Sequence, residues 1–265
     1  MPRFVTWNVN SIKARLANVT DWLRATKPDV VMLQEIKCTD AEFPREPFED
    51  LGYNIAICGQ KTYNGVAILS RHPMTEECRA LPGDEGDSHA RYMEALIELP
   101  DKASRTVVRV ASIYLPNGNP APGEKYDYKL GWMDRLHRHA RALLANEEIL
   151  VLGGDYNVCP TDMDVYDPEG WRNDALCLPQ SRARFRKILH LGYTDAIRAR
   201  HAEPGLYTFW DYQAGAWQKD HGLRIDHLLL SPQAADRLVE SGVDRKPRGK
   251  EKPSDHVPVW CDLEI

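Results

Sequence analysis

Short apolar-rich runs recur along the whole chain: FVTWNV, DVVMLQEI, YNIAIC, GVAILS, YMEALIEL, TVVRVASIYL, EILVLGGDYNV, LRIDHLLL and VPVWCDLEI. Several are bounded by Gly, Pro or Asn, the punctuation expected of β-strands. Between them the period changes to that of a helix. Residues 11–26 carry Leu16, Val19 and Leu23 at helical spacing, and Pro28 stops the run. Residues 124–145 set Leu130, Met133, Leu136, Ala140 and Leu143 on one stripe, and Phe185, Ile188 and Leu189 mark a shorter helix. SPQAADRLVE opens as a further helix, with Ser231 as N-cap and Pro232 at the first helical position. The strand runs alternate rather than reading uniformly apolar, which predicts mixed or antiparallel sheets. With no internal repeat and no low-complexity linker, the pattern predicts one layered α/β domain over residues 1–265, two packed sheets with helices outside.

Composition narrows the class. The 265 residues are 43% apolar and 28% charged, and no run approaches the roughly 20 apolar residues of a membrane span. The first strand-like run begins at Arg3, so no signal or transit peptide is expected. Cysteines at 38, 58, 78, 159, 177 and 261 form no CxxC pair, which argues against a zinc ribbon or a secreted disulfide framework and predicts a cytoplasmic protein. A net charge of −5 counts against a basic nucleic-acid-binding face. Carboxylates gathered to hold a cation would inflate that acidic tally. Residues 181–190 and 244–253 are locally basic, and each reads most simply as a solvated helix face or loop.

Candidate chemistry collects where strands end. Asn8 and Asn10 follow the first strand, Glu35 the second, and Asp155 and Asn157 the apolar run ILVLGG. Asp255 and His256 stand at the mouth of the last strand. Any one of these can be a turn former. Asp226 differs, because an acid between Ile225 and Leu228 must be paired or bound, if only to a neighbouring loop. Together Glu35, Asp155, Asp226, Asp255, Asn8 and Asn157 form an oxygen-rich set that suits Mg²⁺ better than zinc. Such a cation beside one histidine points to phosphoryl chemistry.

The segments WNVNSIKAR, LQEIK, GQKTYNGVAILS, YLPNG, GGDYNVCPTDMDV, YTFWDY, LRIDHLLLS and EKPSDHVPV, in this order over residues 3–262, resemble the exonuclease III family of abasic-site DNA endonucleases. The resemblance implies a four-layer α/β sandwich with its site at one rim of two face-to-face mixed sheets. It implies a metal set of Glu35 and Asp255 with Asn8, Asn10, Asp155 and Asn157, filled by Mg²⁺ or by Mn²⁺ as a substitute. By the same resemblance Asp155 positions or deprotonates the attacking water, and Asn157 donates to a phosphate oxygen or to Asp155. Tyr114 sets its phenol by the phosphate, and His256 donates to a non-bridging oxygen with its other nitrogen held by Asp226.

Arg91 and Asn117 are implied contacts to the DNA backbone. Phe209 is the implied wall of a pocket for a base-less deoxyribose, with Trp210 beside it or in the core. Leu223 stands where some members carry tryptophan, which alters the pocket. Trp171 and Arg172, in a loop over 163–181, are candidates to probe the groove. The activity implied is Mg²⁺-dependent hydrolysis 5′ to an abasic site in duplex DNA, with action on damaged 3′ ends, by a monomer. A family phosphatase acting on small or lipid phosphoesters would keep the metal residues but lack QKTYNGVAI. A non-catalytic DNA-binding module is disfavoured by the intact set of acids with Asn157, Tyr114 and His256.

Overall fold

The computed structural model describes residues 1–100 and 105–265. Its strands are β1 (Arg3–Asn8), β2 (Val30–Gln34), β3 (Asn54–Cys58), β4 (Val66–Ser70), β5 (Met74–Cys78), β6 (Tyr92–Pro100), β7 (Arg105–Tyr114), β8 (Ile149–Asp155), β9 (Thr194–Asp195), β10 (Asp226–Leu230), β11 (Leu238–Val243) and β12 (Val259–Leu263). The helices are α1 (Leu16–Thr26), α2 (Glu46–Glu49), α3 (Glu124–Leu144), α4 (Pro179–Leu189), α5 (Ala196–Arg200) and α6 (Pro232–Ala235). Among the described residues they make two six-stranded sheets, ordered β11-β12-β1-β2-β4-β3 and β5-β6-β7-β8-β10-β9.

The sheets are mixed, as the alternation predicts: β1 runs parallel to β2 and β7 to β8, while the other pairs are antiparallel. Alternate strand residues face opposite layers. Phe4, Val30, Met32 and Ile68 of the first sheet meet Met93, Val110, Val151 and Leu228 of the second in one inner core. The outer face of the first sheet packs Val5, Trp7, Val31 and Leu33 against Val19, Trp22 and Leu23 of α1. The outer face of the second packs Ile113, Leu150 and Leu152 against Trp132 and Leu136 of α3 and Phe185 and Ile188 of α4. This is the four-layer sandwich. Gly153 permits a close approach of the two sheets, since a Cβ there would lie 2.6 Å from Cε of Met32 on the facing sheet.

Two helix boundaries differ from the sequence reading. The first helix starts at Leu16 rather than residue 11, because Asn10 and Ser11 take positive φ (43° and 85°) in the turn that leaves β1. The segment predicted as a helix from Ser231 keeps its cap, with the Ser231 hydroxyl accepting from Ala234 N, but stops at Ala235. From Leu238 the chain pairs with β12, so sheet pairing overrides local propensity there.

The topology fixes where the site lies. Parallel β1 and β2 end at one edge, and parallel β7 and β8 end together, with Tyr114 opposite Asp155. Antiparallel β10 begins where β8 ends, with Asp226 opposite Asp155, and β12 returns alongside β1. Strand ends therefore deliver Asn8, Glu35, Tyr114, Asp155, Asp226 and the segment before β12 to one rim, the usual location of ligand sites in such sheets.

Candidate active site

At the centre is a buried line of three groups. His256 Nδ1 lies 2.8 Å from Oδ2 and 3.1 Å from Oδ1 of Asp226, and its Nε2 lies 3.7 Å from Oδ2 of Asp155. Thr208 donates its hydroxyl to Asp226 at 2.6 Å, completing the far end. Around His256, Trp7 Nε1 donates to its carbonyl, and Ser254 Oγ receives its backbone N–H while donating to the Asn8 carbonyl. The acid inside the apolar β10 strand thus has its partner, since Asp226 fixes an imidazole. Burial works to strip the His256 proton, but Asp226 and then Asp155 outweigh it, and the imidazolium is held up to about 10. Burial lifts the Asp155 carboxyl to about 7, against the pull of His256 and with the help of Asp226's charge.

A second, more open group lies beside it. Glu35 Oε1 accepts from the Tyr114 hydroxyl at 2.8 Å and from Asn8 Nδ2 at 2.9 Å, and Oε2 accepts from Lys37 Nζ at 2.8 Å. Lys37 also donates to Asn10 Oδ1 at 2.6 Å, and Asn10 Nδ2 donates to Asp255 Oδ1 at 3.0 Å. Burial alone would raise the Glu35 carboxyl, yet Lys37 and Asn8 hold it below its usual value. Burial, then Glu35 and Asp155, push the Tyr114 phenol well up, so it remains a hydrogen-bond donor. Asn8 joins the two groups, its amide donating to both Glu35 and Asp155 (2.9 and 3.0 Å).

Either group offers ligands for a cation. Atoms of Asp155, Asp226 and His256 lie within 4.8 Å of one another. Asp226 and His256 are already bonded to each other there, however, and a cation would have to displace that bond. The Glu35, Asp255 and Asn10 oxygens fit better. They are hard donors and only partly buried; those of Glu35 and Asn10 already meet one positive charge, the Lys37 ammonium, and Asp255 is tied in through the Asn10 amide. Two of the expected ligands are corrected. Asn8 is fully buried with its Oδ1 taken by Asn10 N, and it braces carboxylates instead of offering an oxygen. Asn157 spends Oδ1 on Asn117 and Nδ2 on the Leu115 carbonyl (3.1 and 2.9 Å), so its backbone N–H, not its side chain, reaches Asp155 at 2.9 Å.

The expected DNA contacts divide. Asn117 is exposed, and Arg91 lies over the Tyr114 ring at 4.7 Å with a buried Nε that has no partner. Phe209 is half-buried, its ring centroid 4.9 Å from that of His256. Trp210 and Leu223 are corrected, since neither has a free surface for DNA. Trp210 is fully buried against Tyr207 and Trp217, with Nε1 donating to Asp220, and Leu223 is 1% exposed beneath the backbone bridge to Phe209. Trp171 packs partly against the Leu223 cluster, while exposed Arg172 pairs with Glu169. Much of the local basic charge is also paired within the chain. Arg182 and Arg184 pair with Asp162 and Asp134, Arg245 with Asp220, and Arg248 donates to the Trp210 and Asp211 carbonyls. Lys37 and Thr208 contribute to the site, and the sequence reading names neither. For Lys37 the signal was its place two residues after Glu35 within LQEIK.

Comparison with known proteins agrees with this geometry. The Endonuclease/Exonuclease/phosphatase family profile matches residues 5–256. Exodeoxyribonuclease III of Haemophilus influenzae is 30% identical over 270 residues, covering 99% of this chain and 100% of that protein. An AP endonuclease from Archaeoglobus fulgidus superposes with a TM-score of 0.93 at 36% identity, over 100% of both chains. The 3′ phosphatase NExo from Neisseria, bound to a product DNA hairpin, superposes with a TM-score of 0.91 at 37% identity, again over 100% of both.

Proposed function

From the premise that the chain belongs to the endonuclease/exonuclease/phosphatase family, in its exodeoxyribonuclease III branch, we propose that it is a DNA-repair hydrolase. It cleaves the phosphodiester 5′ to an abasic site in duplex DNA and leaves a 3′-hydroxyl. Exonucleolytic trimming and cleaning of damaged 3′ ends belong to the same site. The observation that carries this reading is the rim itself, where a buried Asp226–His256–Asp155 line stops 3.7 Å short of closure beside the Glu35 group.

Each residue then has a task that its surroundings support. Asp155, buried and held by Asn8 and the Asn157 N–H, orients the attacking water and accepts its proton. His256, locked at Nδ1 by Asp226, keeps Nε2 to donate to a non-bridging phosphate oxygen. Tyr114 and Asn117 border the same phosphate, and Phe209 walls the sugar pocket with Leu223 as its buried support. The family is one of metal-dependent nucleases, and Mg²⁺ is the cation assigned here, with Mn²⁺ as a substitute. Glu35, Asp255 and Asn10 would hold it, and once bound it would supply positive charge to the phosphate and the departing 3′ oxygen. Among the described residues no helix is long and apolar enough to cross a membrane. The cysteines are free, which supports placement in the cytoplasm, where the protein acts as a monomer.

The test is incision of an end-labelled duplex carrying one tetrahydrofuran abasic analogue, with Mg²⁺ and then with EDTA. The analogue blocks β-elimination, so only hydrolysis cuts it. A Mg²⁺-dependent cut on its 5′ side is expected. No cut, together with phosphate release from small esters, would assign the chain to the phosphatases of the family instead.

A further inference from the structure

Lys129 projects from α3 into the interior and has no exposed surface. Its neighbours on the same face, Trp132, Met133 and Leu136, are apolar and buried. An ammonium in such a place is costly to desolvate unless it is well partnered, and burial pushes it down to about 7 against the opposing charges of Asp155 and Asp174. Its partners are two backbone carbonyls: Nζ donates to Asn117 O at 2.9 Å and to Asn157 O at 2.5 Å.

Those carbonyls lie on separate loops, one leaving β7 and one leaving β8, and the same two residues belong to the proposed site, Asn117 by its side chain and Asn157 by its backbone N–H. Asn117 and Asn157 also bond each other at 3.1 Å, and the Asn157 N–H holds Asp155. The first loop is shaped to lie on the lysine. Gly118 takes a φ of +89°, and a Cβ there would sit 2.6 Å from Lys129 Cδ. A methionine would fill the same space without a charge to desolvate, so packing alone does not account for a lysine.

We infer that Lys129 is a positioning residue for hydrolysis, its ammonium clamping the two loops so that Asn117 and Asp155, the latter held by the Asn157 N–H, meet the phosphate as one unit. This inference rests on the reading of the rim as a DNA-hydrolysing site.

The experiment compares wild type and Lys129→Met in Mg²⁺-dependent incision of the tetrahydrofuran duplex, with kcat and KM separated. The same substitution is also made in an Asn117→Ala/Asn157→Ala background. Loss of the clamp lowers kcat about 10- to 100-fold, the cost of misplacing groups by around an ångström, while KM stays within about threefold. In the double-alanine background the loss in kcat is smaller than in wild type, because the Asn117 side chain is already gone and only Asp155, still held through the backbone N–H of residue 157, remains to be misplaced. An unchanged kcat in the folded variant overturns the inference, and so does an equal loss in both backgrounds. Should Lys129→Met not fold by circular dichroism, Lys129→Gln removes the charge while keeping a donor and is judged by the same outcomes. Wild-type protein that cannot cut the duplex would sink the functional reading and this inference with it. Wild-type cutting beside an unaffected variant would sink the inference alone.

Discussion

Arg224 and Asp226, two residues apart, each anchor a buried charge cluster, and the two clusters are finished to different degrees. Arg224 is 1% exposed and fully partnered: Nε lies 2.6 Å from Asp164, and Nη1 lies 2.8 Å from Asp195 and 3.0 Å from His227 Nδ1. Arg198 adds a second cation on Asp164. Although burial alone would raise the Asp164 carboxyl, Arg224 holds it far below its usual range, and burial followed by Arg224 pushes His227 down to about 4. Around Asp226 a single imidazole faces two acids, and Asp155 is lifted to about 7. Complete pairing drives protonation states away from neutrality and stabilises the fold. Incomplete pairing leaves a group poised at working pH, the pattern of a reactive site.

The contrast is broken most severely at Arg224. Arg224→Met leaves Asp164 and Asp195 buried without their shared cation, and the expected loss is about 3–5 kcal/mol of unfolding free energy in urea titrations. A loss below about 1 kcal/mol would mean that the cluster does not brace the fold. The mirror experiment is Asp155→Asn, which removes one of the two acids that share the His256 imidazole. Here the urea midpoint should hardly move while incision falls ~10²–10³-fold, the usual cost of removing one group that faces developing charge. Near-normal turnover in a folded Asp155→Asn protein would break the comparison from the other side.

His227 sharpens it through pH. Its Nε2 meets the Val158 carbonyl at 3.0 Å and Nδ1 faces the Arg224 guanidinium, so the ring is held neutral. With a folded pKa near 4 and an unfolded value near 6.5, the unfolded chain takes up a proton that the fold refuses. The stability at stake is whole above pH ~6.5 and is lost as pH falls toward ~4, on the order of 3 kcal/mol in total. Unfolding free energies measured across that window should decline in wild type and flatten in His227→Gln. Parallel slopes would remove His227 from the account.

How far the sequence foretold this depends on what each residue had to announce. Strands buried on one or both faces declared themselves by apolar periodicity. Edge strand β5, reading MTEEC with Thr75, Glu76 and Glu77 exposed, had no period to show. Asp226 was legible because an acid in an apolar strand needs a partner, and the length of chain separating it from His256 did not matter. Lys129 carried a similar signal, a charge one helical turn from Met133 and Trp132 on a buried stripe. Its partners are carbonyls in two loops, and no residue type records a carbonyl. Asn8 and Asn157 show the opposite failure: their residue type fits a metal ligand, while folding commits both ends of each amide to neighbours. Trp210 and Leu223 failed for a third reason, because an apolar side chain at strand spacing does not say which face of its segment looks inward. The backbone pairing of Phe209 with Leu223 and with His256 decides it, turning Phe209 toward the imidazole and Trp210 into the core.

That division at Phe209 and Trp210 gives the smallest expected effect. Phe209 is half-buried and touches the site, so Phe209→Ala removes pocket wall and little of the core. Contacts of this kind discriminate substrates by about 1–3 kcal/mol, and the lower end, near tenfold, is expected for incision at the tetrahydrofuran analogue. Release of phosphate from a DNA 3′ end places no abasic sugar against the wall and should change less. The ratio of the two activities is therefore the quantity to measure, because a general disturbance of His256, whose ring lies 4.9 Å from Phe209, would lower both alike. If both fall together, Phe209 supports the imidazole; if only incision falls, Phe209 is the wall that admits a sugar without a base.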